Sequence, residues 1–319
     1  MLYLSFYFSR ITRNPWMYSM PITLSVEPTT RCNLGCPECP SGLKQFTRPT
    51  GELGEALYKK VVEEMAPDLM YLYFYFQGEP YMHPRFTDMV RYAADRGIYT
   101  VTSTNAHFLT ERKAEETVRS GLDRILISMD GTTQETYAQY RIHGHLEKVL
   151  EGTRMLVEAR RRLRSATPHI VIQFLVVRPN EHQIEEAREI ARQLGVDDIV
   201  FKTAQIYDYA SGHPLIPTID TYSRYRKADS GEWELKNKLE NQCWKLWHSA
   251  VMTWDGKVVP CCFDKDARYT MGNMQEKTFR SIWNSPSYIH FRQRLLQSRK
   301  AIDICTNCSE GTKVWETPG

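Results

Sequence analysis

The sequence lacks any apolar run long enough to cross a membrane. The longest candidate, Met1–Phe8, is much shorter than the ~20 apolar residues that a transmembrane helix needs. Arg10 and Arg13 follow this run, whereas a secretory signal peptide carries its charge before its apolar core. We therefore expect a cytoplasmic protein. Residues 1–20 are expected to be an extension that packs against a barrel. A position on a membrane surface is the alternative, but membrane contact is not expected.

Neither sign of charge is in large excess. Lys and Arg number 41 and Asp and Glu number 38, so the net charge is only +3. Domains that bind nucleic acid usually carry a basic stripe. The densest basic run, Arg160–Arg164, falls at the predicted end of a helix, where cations stabilise the helix terminus. We therefore predict no nucleic-acid partner. The sequence also lacks internal repeats and low-complexity tracts.

Cysteines are few and unevenly placed. Cys32, Cys36 and Cys39 lie close together, directly after the apolar run Ile22–Val26. The eight cysteines are an even number, which is compatible with disulfides. Clustering in a chain without a signal peptide instead indicates a reducing compartment and metal binding or catalysis. Three thiolates can hold three irons of a 4Fe–4S cluster and leave the fourth iron open. They could also bind zinc together with a distant fourth ligand.

Apolar strand-like segments alternate with amphipathic helical segments through most of the chain. One helix is predicted from Glu55 to about Met65, and a long helix includes Leu146 and Val157. The predicted strands are Ile22–Val26, Met70–Phe76, Ile98–Ser103, Ile125–Met129, His169–Val177 and Ile199–Lys202. Such alternation predicts an α/β fold with a parallel sheet. The pattern alone does not decide between an open sheet and a barrel.

The spacing C-x3-C-x2-C of Cys32, Cys36 and Cys39 resembles the signature of the radical S-adenosylmethionine (SAM) superfamily. The resemblance implies that these cysteines hold a 4Fe–4S cluster whose open iron is chelated by SAM. It implies that SAM is cleaved to a 5′-deoxyadenosyl radical, which removes a hydrogen atom from the substrate. It also implies a partial (β/α)6 TIM-like barrel over residues 21–205, with the chemistry at the C-terminal ends of its strands.

Polar motifs follow several predicted strands and resemble the SAM-binding turns of this family. Gln77–Pro80 resembles a Gly-Gly-Glu-Pro turn, with Gln77 in place of the first glycine. Thr102–Asn105 resembles a Ser-Thr-Asn-Gly run, in which Ala106 replaces the glycine. In many members an aromatic residue precedes the third cysteine, where this chain has Glu38. The resemblance implies SAM contacts from Gln77, Gly78, Glu79, Ser103, Asn105, Ser128, Asp130, Arg141 and the backbone at Val176.

The remaining cysteines resemble those of a SPASM domain in its shortened form, the twitch domain. Cys261 follows Gly256 by five residues, and Cys305-x2-Cys308 closes the set. Asp255-Gly256 lies between two apolar segments and predicts a hairpin before Cys261. The resemblance implies one auxiliary 4Fe–4S cluster with ligands Cys243, Cys261, Cys305 and Cys308, and it leaves Cys262 as a spare. A zinc site with four cysteine ligands is the alternative. We predict a linker over 206–240 and a small α+β domain over 241–319.

These expectations predict a radical SAM oxidoreductase. Its auxiliary cluster would help a two-electron oxidation (dehydrogenation) of a small molecule such as a sugar or aminocyclitol. Lys202, at the end of the sixth strand, is the candidate base. A reducing electron donor such as flavodoxin or ferredoxin is implied. One alternative is oxidation, epimerisation or crosslinking of a peptide or protein side chain. An alternative of another class is a zinc- or metal-binding interaction module without catalysis.

Overall fold

The computed structural model describes residues 1–310 and the strand Trp315–Glu316. Residues 311–314 and 317–319 of the predicted C-terminal domain lie outside the described residues. The described chain forms two compact units. The first contains Met1–Arg31, Phe46–Thr100 and residues 239–310, and the second contains Cys32–Gln45, Val101–Lys238 and the strand Trp315–Glu316. Within the described part of the chain, none of the helices combines the length and apolar character that a bilayer span requires.

Several helices begin at a hydroxyl side chain that satisfies the backbone of the first turn. Thr110, Thr133, Thr278 and Ser285 each accept a hydrogen bond from the backbone N–H three residues later. The helices of the described residues are α1 (Leu2–Thr12), α2 (Pro40–Leu43), α3 (Glu55–Met65), α4 (Phe86–Ala94), α5 (Glu111–Arg119), α6 (Gln134–Tyr140), α7 (Leu146–Arg162), α8 (Ile184–Leu194), α9 (Lys245–His248), α10 (Phe279–Trp283), α11 (Pro286–Gln297) and α12 (Asp303–Thr306).

The strands alternate with the helices up to β6, as the sequence predicts. They are β1 (Thr23–Val26), β2 (Tyr71–Tyr73), β3 (Tyr99–Thr104), β4 (Arg124–Ser128), β5 (His169–Val176), β6 (Asp198–Thr203), β7 (Tyr225–Lys227), β8 (Trp233–Leu235), β9 (Ser249–Met252), β10 (Lys257–Val259), β11 (Gly272–Asn273) and β12 (Trp315–Glu316). In the first unit β1 pairs in parallel with both β2 and β9. Strands β9 and β10 form the predicted antiparallel hairpin, and its turn contains Gly256 at φ 84°.

The second unit is built on four parallel strands, β3 to β6. Neighbouring strands pair in register, and β12 adds to β6 in the antiparallel sense. Ile127, Ile172, Phe174 and Phe201 are completely buried. Burial of such large apolar side chains is the main favourable term in folding. Because the four strands run in the same direction, their C-terminal ends lie at one edge of the sheet, where loops can carry functional side chains.

Four features differ from or add to the predicted elements. Strand β2 is shorter than the predicted Met70–Phe76, since regular pairing ends at Tyr73. Helix α6 precedes the predicted long helix α7, and it ends at Tyr140 because Arg141 leaves helical geometry with φ −90° and ψ 63°. The extension contacts α9 through Tyr3 and Phe6, which pack on Trp244. The segment 206–238 is folded and contains the hairpin β7–β8.

Candidate functional site

The loop that carries Cys32, Cys36 and Cys39 is tightly packed in the second unit. Cys36 is 5% exposed, and the other two cysteines are half-buried. Cys39 is the N-cap residue that precedes the short helix α2, and it donates its N–H to the Cys36 carbonyl at 3.2 Å. A Cβ added at Gly42 would lie 2.6 Å from the Cys36 backbone nitrogen, so α2 packs directly on the loop. The cysteines are therefore held in place by backbone contacts as well as by sequence spacing.

A buried ion pair lies beside Cys36. Arg141 Nε donates to Asp130 Oδ2 at 2.5 Å, and the Asp130 side chain is completely buried. Asp130 Oδ1 accepts the Leu175 N–H at 2.7 Å. Arg141 Nη1 lies 3.6 Å from Cys36 Sγ. Burial raises the pKa of the Cys36 thiol, and the charge of Arg141 opposes this shift. The pair therefore places a cation where a thiolate ligand would need one.

Asp130 and Arg141 were both predicted to contact SAM, and their ion pair gives each of them a structural role as well. Both Asp130 oxygens already accept hydrogen bonds from the protein, so Asp130 also acts as a positioning group. Burial alone would lower the pKa of Arg141, but Asp130 and Cys36 raise it well above its usual value. Arg141 therefore stays charged. The predicted SAM contacts of both residues stay predictions.

Asn105 connects the end of β3 to the cysteine loop. Its Nδ2 donates to Asn33 Oδ1 at 2.8 Å and lies 4.0 Å from Cys32 Sγ. Ala106, which occupies the expected glycine position, adopts a left-handed φ of 62°. The Ala106 N–H donates to Thr104 Oγ1 at 3.0 Å, which supports this conformation. The turn is thus preserved without glycine.

The strand register places six side chains on one face of the parallel sheet. Ser103 pairs with Leu126, Ser128 with Gln173, and Leu175 with Lys202. Residues two apart on a strand share a face, so these three pairs belong to the same surface. The register therefore groups two predicted SAM-binding serines with the candidate base Lys202.

Gln173 on this face was not predicted as a site residue. Lys202 Nζ donates to Gln173 Oε1 at 3.4 Å. The signal in the sequence is a single polar residue within the apolar run Ile170–Val176. Val176 is completely buried. It directly follows Leu175, and neighbouring residues of a strand point to opposite faces, so its side chain lies on the other face of the sheet. Only the Val176 backbone can therefore serve a ligand on the shared face, and the backbone contact predicted there stays a prediction.

The turn Gln77–Glu79 lies in the first unit and packs against the chain just before the cysteine loop. Gly78 has φ 76°, and a Cβ there would overlap the Thr29 carbonyl oxygen and lie 2.9 Å from that of Arg31. The Glu79 N–H donates to the Arg31 carbonyl at 2.7 Å. Gln77 and Glu79 are 8% and 3% exposed. The turn is therefore a close backbone crossing that requires glycine at position 78.

His83, just after this turn, has the hydrogen bonds of a neutral structural histidine. Its Nδ1 accepts the Arg85 N–H at 3.2 Å, and its Nε2 lies 3.1 Å from the Leu53 carbonyl. Because Nδ1 acts as an acceptor, the proton is assigned to Nε2. Burial lowers the pKa of His83 below its ordinary value, despite the hydrogen bond to Leu53.

This environment predicts a pH effect on stability. A histidine whose pKa is lower in the folded state stabilises the protein above its unfolded pKa, and that contribution is lost as the pH falls through the folded pKa. We expect the free energy of unfolding in urea to fall between about pH 7 and about pH 5 more steeply in the wild type than in His83→Gln. Equal slopes for the two proteins would contradict the assignment.

The segment 206–238 covers the cysteine loop. Ile206, Ile216 and Tyr225 belong to the same buried cluster as Leu34 and Cys36. The Tyr225 hydroxyl accepts the Ile206 N–H at 2.8 Å and donates to the Ile206 carbonyl at 3.0 Å. Part of the segment expected to be a linker therefore contributes to the environment of the site.

Glu38 connects the same segment to the cysteine loop. Its Oε2 accepts the Tyr207 N–H at 2.9 Å, and its Oε1 lies 3.9 Å from His213 Nε2. The residue that stands in place of the family's aromatic side chain thus makes polar contacts. Sequence reasoning could identify the substitution but not its partners, which lie about 170 positions away.

The C-terminal cysteines form a second group, within the first unit. Cys305 and Cys308 are buried, Cys243 and Cys261 are half-buried, and Cys262 is exposed. The pKa of Cys243 is raised to about 12 by burial, with Glu310 and Cys308 adding to the shift. Burial also raises the pKa of Cys305 to about 12, and Cys308 adds to it. Such thiols ionise at neutral pH only when a bound metal compensates their charge.

Arg299 lies among these cysteines and was not predicted. It is 3% exposed, and its guanidinium donates to the carbonyls of Gln242 (3.3 Å) and Glu310 (3.2 Å). Burial alone would lower the pKa of Arg299, but the neighbouring Cys308 and Cys243 raise it above its usual value. Its Nε is buried and has no hydrogen-bond partner among the described residues. A buried donor next to thiols fits an acceptor such as the sulfur of an iron–sulfur cluster.

Both cysteine groups offer the donor set of an iron–sulfur cluster. Cysteine thiolates are the side chains that hold the irons of such clusters. The first group contains Cys32, Cys36 and Cys39, and the second contains four cysteines that are buried or half-buried. The buried Nε of Arg299 adds a hydrogen-bond donor beside the second group. The residues present therefore fit the iron–sulfur groups implied by the sequence.

Comparison with known proteins decides the family. The profile of the Radical SAM superfamily matches residues 26–194, and that of the SPASM iron–sulfur cluster-binding domain matches residues 243–309. The chain belongs to the radical SAM superfamily. As a radical SAM enzyme it uses SAM and a 4Fe–4S cluster, and its SPASM domain implies additional iron–sulfur binding. These findings confirm the predicted family and cofactor classes.

Two curated relatives match most of this radical SAM chain. The tungsten-containing aldehyde ferredoxin oxidoreductase cofactor-modifying protein of Pyrococcus furiosus is 30% identical over 321 residues, which cover 90% of this chain and 86% of the relative. The PqqA peptide cyclase of Gluconobacter oxydans is 29% identical over 295 residues, which cover 86% of this chain and 80% of the relative.

A solved structure supports the fold. The crystal structure of BtrN in complex with AdoMet and 2-DOIA superposes with a TM-score of 0.58 and 19% identity, over 92% of this chain and 95% of BtrN. At this identity the likeness concerns the fold alone. Together with the parallel strands, it confirms the predicted α/β class, a partial TIM-like barrel with a small C-terminal SPASM region.

Proposed function

We propose that this radical SAM enzyme catalyses a two-electron oxidation of a small molecule. Cys32, Cys36 and Cys39 would hold the SAM-binding cluster. When bound, this cluster would supply the electron for reductive cleavage of SAM, and SAM would thereby provide the group that removes a hydrogen atom from the substrate. The observation that carries the proposal is the buried Asp130–Arg141 pair, whose guanidinium contacts Cys36. A fixed cation beside a thiolate stabilises the ligand and can also pair with a carboxylate such as that of SAM.

The polar part of the shared sheet face suits a substrate that carries hydroxyl or amino groups. Ser103, Ser128, Gln173 and Lys202 lie on this face in register with one another. Serine and glutamine side chains both donate and accept hydrogen bonds. We propose that Lys202 accepts the proton that a substrate hydroxyl loses when it becomes a carbonyl. The relative described as a cofactor-modifying protein supports a small-molecule substrate.

The cluster held by the C-terminal cysteines would accept the second electron of the oxidation. Cys243, Cys261, Cys305 and Cys308 are proposed to hold one auxiliary 4Fe–4S cluster, with Arg299 as a buried donor beside it. Because four thiolates would occupy all four irons, this cluster would serve as the acceptor of the second substrate electron. A low-potential donor such as flavodoxin or ferredoxin would reduce the SAM-binding cluster.

Modification of a peptide side chain is a second candidate function. The PqqA peptide cyclase relative matches 86% of this chain, which favours crosslinking or another radical modification of a peptide. The two candidates differ in product. Oxidation of a small molecule yields a product two hydrogens lighter, and crosslinking changes the mass of a peptide.

The first test is anaerobic reconstitution with iron and sulfide, followed by assay of 5′-deoxyadenosine under reductant. We expect about eight irons per wild-type chain, as two four-iron clusters require. We expect Cys305→Ala to retain about four irons and to form 5′-deoxyadenosine, but to yield no oxidised product. Cys262→Ala is the matched control, since this exposed neighbour should leave both iron content and product unchanged.

Three outcomes would contradict the proposal. Tightly bound zinc without SAM cleavage would favour a non-catalytic module. If Cys305→Ala kept about four irons but no longer cleaved SAM, Cys305 would belong to the SAM-binding cluster, and its proposed place at the auxiliary cluster would be wrong. Faster 5′-deoxyadenosine formation with a peptide, but with none of a panel of polyols and aminocyclitols, would favour the second candidate function.

A further inference from the structure

Helix α1 turns its small polar side chains toward the protein. Ser5 and Ser9 are completely buried. Ser9 Oγ accepts the Trp247 indole N–H at 3.1 Å and the Trp16 N–H at 2.7 Å, and Ser5 Oγ accepts the Tyr18 N–H at 3.0 Å. These bonds fix the rotation of the helix about its axis. The opposite side of α1 must therefore face outward.

The outward side is apolar, which reverses the usual pattern of a surface helix. Leu4, Phe8 and Ile11 follow one another at helical spacing and are 53%, 53% and 77% exposed. Half of the exposed large apolar side chains in residues 1–310 lie before residue 19, and the others are dispersed along the rest of the sequence. Single exposed apolar residues are normal, but a contiguous apolar patch indicates a binding surface. We call Leu4, Tyr7, Phe8, Ile11, Trp16 and Tyr18 the α1 surface.

The charge of this region selects among partners. Residues 1–26 contain no Asp or Glu, and Arg10 and Arg13 are their only charged side chains. Arg13 already donates to the carbonyls of Asn241 and Leu296, which leaves Arg10 as the cation beside the outward side. Trp16 and Tyr18 add rings with one polar end, which are typical of membrane interfaces. Within residues 1–26 the apolar, aromatic and basic groups are accompanied by no acid, and the carboxylate that lines the same cavity as Arg10 is contributed by Glu240. The composition of this segment matches an anionic lipid surface.

We propose that the α1 surface binds the surface of an anionic lipid bilayer, with α1 lying in the plane of the interface. Leu4, Phe8 and Ile11 enter the acyl boundary, and Arg10 contacts lipid phosphates. This proposal replaces the expectation, drawn from sequence, that the protein makes no membrane contact. It is independent of the proposed chemistry, because no cysteine lies in residues 1–26.

The test is co-sedimentation of the full-length protein with vesicles. We expect it to bind vesicles of equal phosphatidylcholine and phosphatidylglycerol more tightly than vesicles of phosphatidylcholine alone, and more weakly as salt rises. Phe8→Ser/Ile11→Ser should weaken binding more than about tenfold. Arg10→Gln should weaken it about fivefold. Ile289→Ser is the matched control, since Ile289 is 43% exposed on α11 and should leave binding unchanged.

Folding of each variant is checked by its circular dichroism and melting temperature, which should match the wild type because the replaced side chains are exposed. Wild type that stays in the supernatant with both kinds of vesicle would overturn the proposal, as would a Phe8→Ser/Ile11→Ser protein that sediments like wild type. Gel filtration tests whether the α1 surface instead binds a second copy of the chain. A wild-type dimer that this double variant turns into a monomer would assign the α1 surface to a second copy of the chain and would also overturn the proposal.

Discussion

Replacement of Arg141 by methionine is expected to destabilise the protein by about 3–5 kcal/mol, because it leaves the Asp130 carboxylate buried without its cation. Asp130 would keep only the Leu175 N–H on its Oδ1. Methionine fills much of the same volume, so the loss comes mainly from charge. The measurement is the free energy of unfolding in urea. In the reconstituted enzyme the same variant should bind SAM more weakly and shift the paramagnetic signal of the reduced cluster, since Arg141 contacts Cys36.

A double variant separates the charge effect from a packing effect. In Asp130→Asn/Arg141→Met the buried carboxylate is gone, and the asparagine oxygen can still accept the Leu175 N–H. We expect this protein to recover more than half of the stability that Arg141→Met loses. Arg119→Met is the surface control, because Arg119 pairs with Glu115 in an exposed position and should change stability little. A double variant that is no more stable than Arg141→Met would show that packing, not charge, explains the loss.

Gly78→Ala is expected to cost more than about 3 kcal/mol. Its φ of 76° is left-handed, which costs a side-chain-bearing residue about 1–2 kcal/mol. The added Cβ would also overlap the Thr29 carbonyl oxygen. A backbone oxygen cannot rotate away as a side chain can, so the chain before the cysteine loop must shift. We therefore expect weaker SAM binding, as well as lower stability in urea.

Gly97→Ala is the matched control for this variant. Gly97 has nearly the same conformation, φ 74°, but a Cβ there would meet no atom within 4 Å. It should therefore show only the conformational cost of about 1–2 kcal/mol. The difference between the two variants measures the steric cost of the backbone crossing at Gly78. Equal losses in the two proteins would mean that this crossing is looser than the contact distances indicate.

The sequence was most informative where chemistry depends on residues close together in the chain. The strand–helix alternation up to β6, the hairpin around Gly256 and the family itself were predicted and are confirmed. Helix α2 was missed, because a segment rich in turn formers gives no helical periodicity. The predicted site residues are placed by the structure, and their roles remain predictions.

Other parts of the site could not be read from the sequence, because they depend on partners far apart in the chain. Asp130 was expected to contact SAM, but its carboxylate also holds Arg141 and the end of β5. Gln173 became a site residue only through the register of β5 with β6. Arg299 joins two segments that carry cysteines and has no local motif of its own.

The cysteine spacing and the order of strands and helices were set by the sequence alone, since both are local patterns that a linear chain displays. Tertiary structure decided which polar side chains share a face, which charge neutralises Asp130, and which side of α1 faces outward. Each of these depends on the strand register or on packing against distant residues such as Trp247. Contacts of that kind exist only after the chain has folded, and a helical pattern read alone would have placed the apolar side of α1 inward.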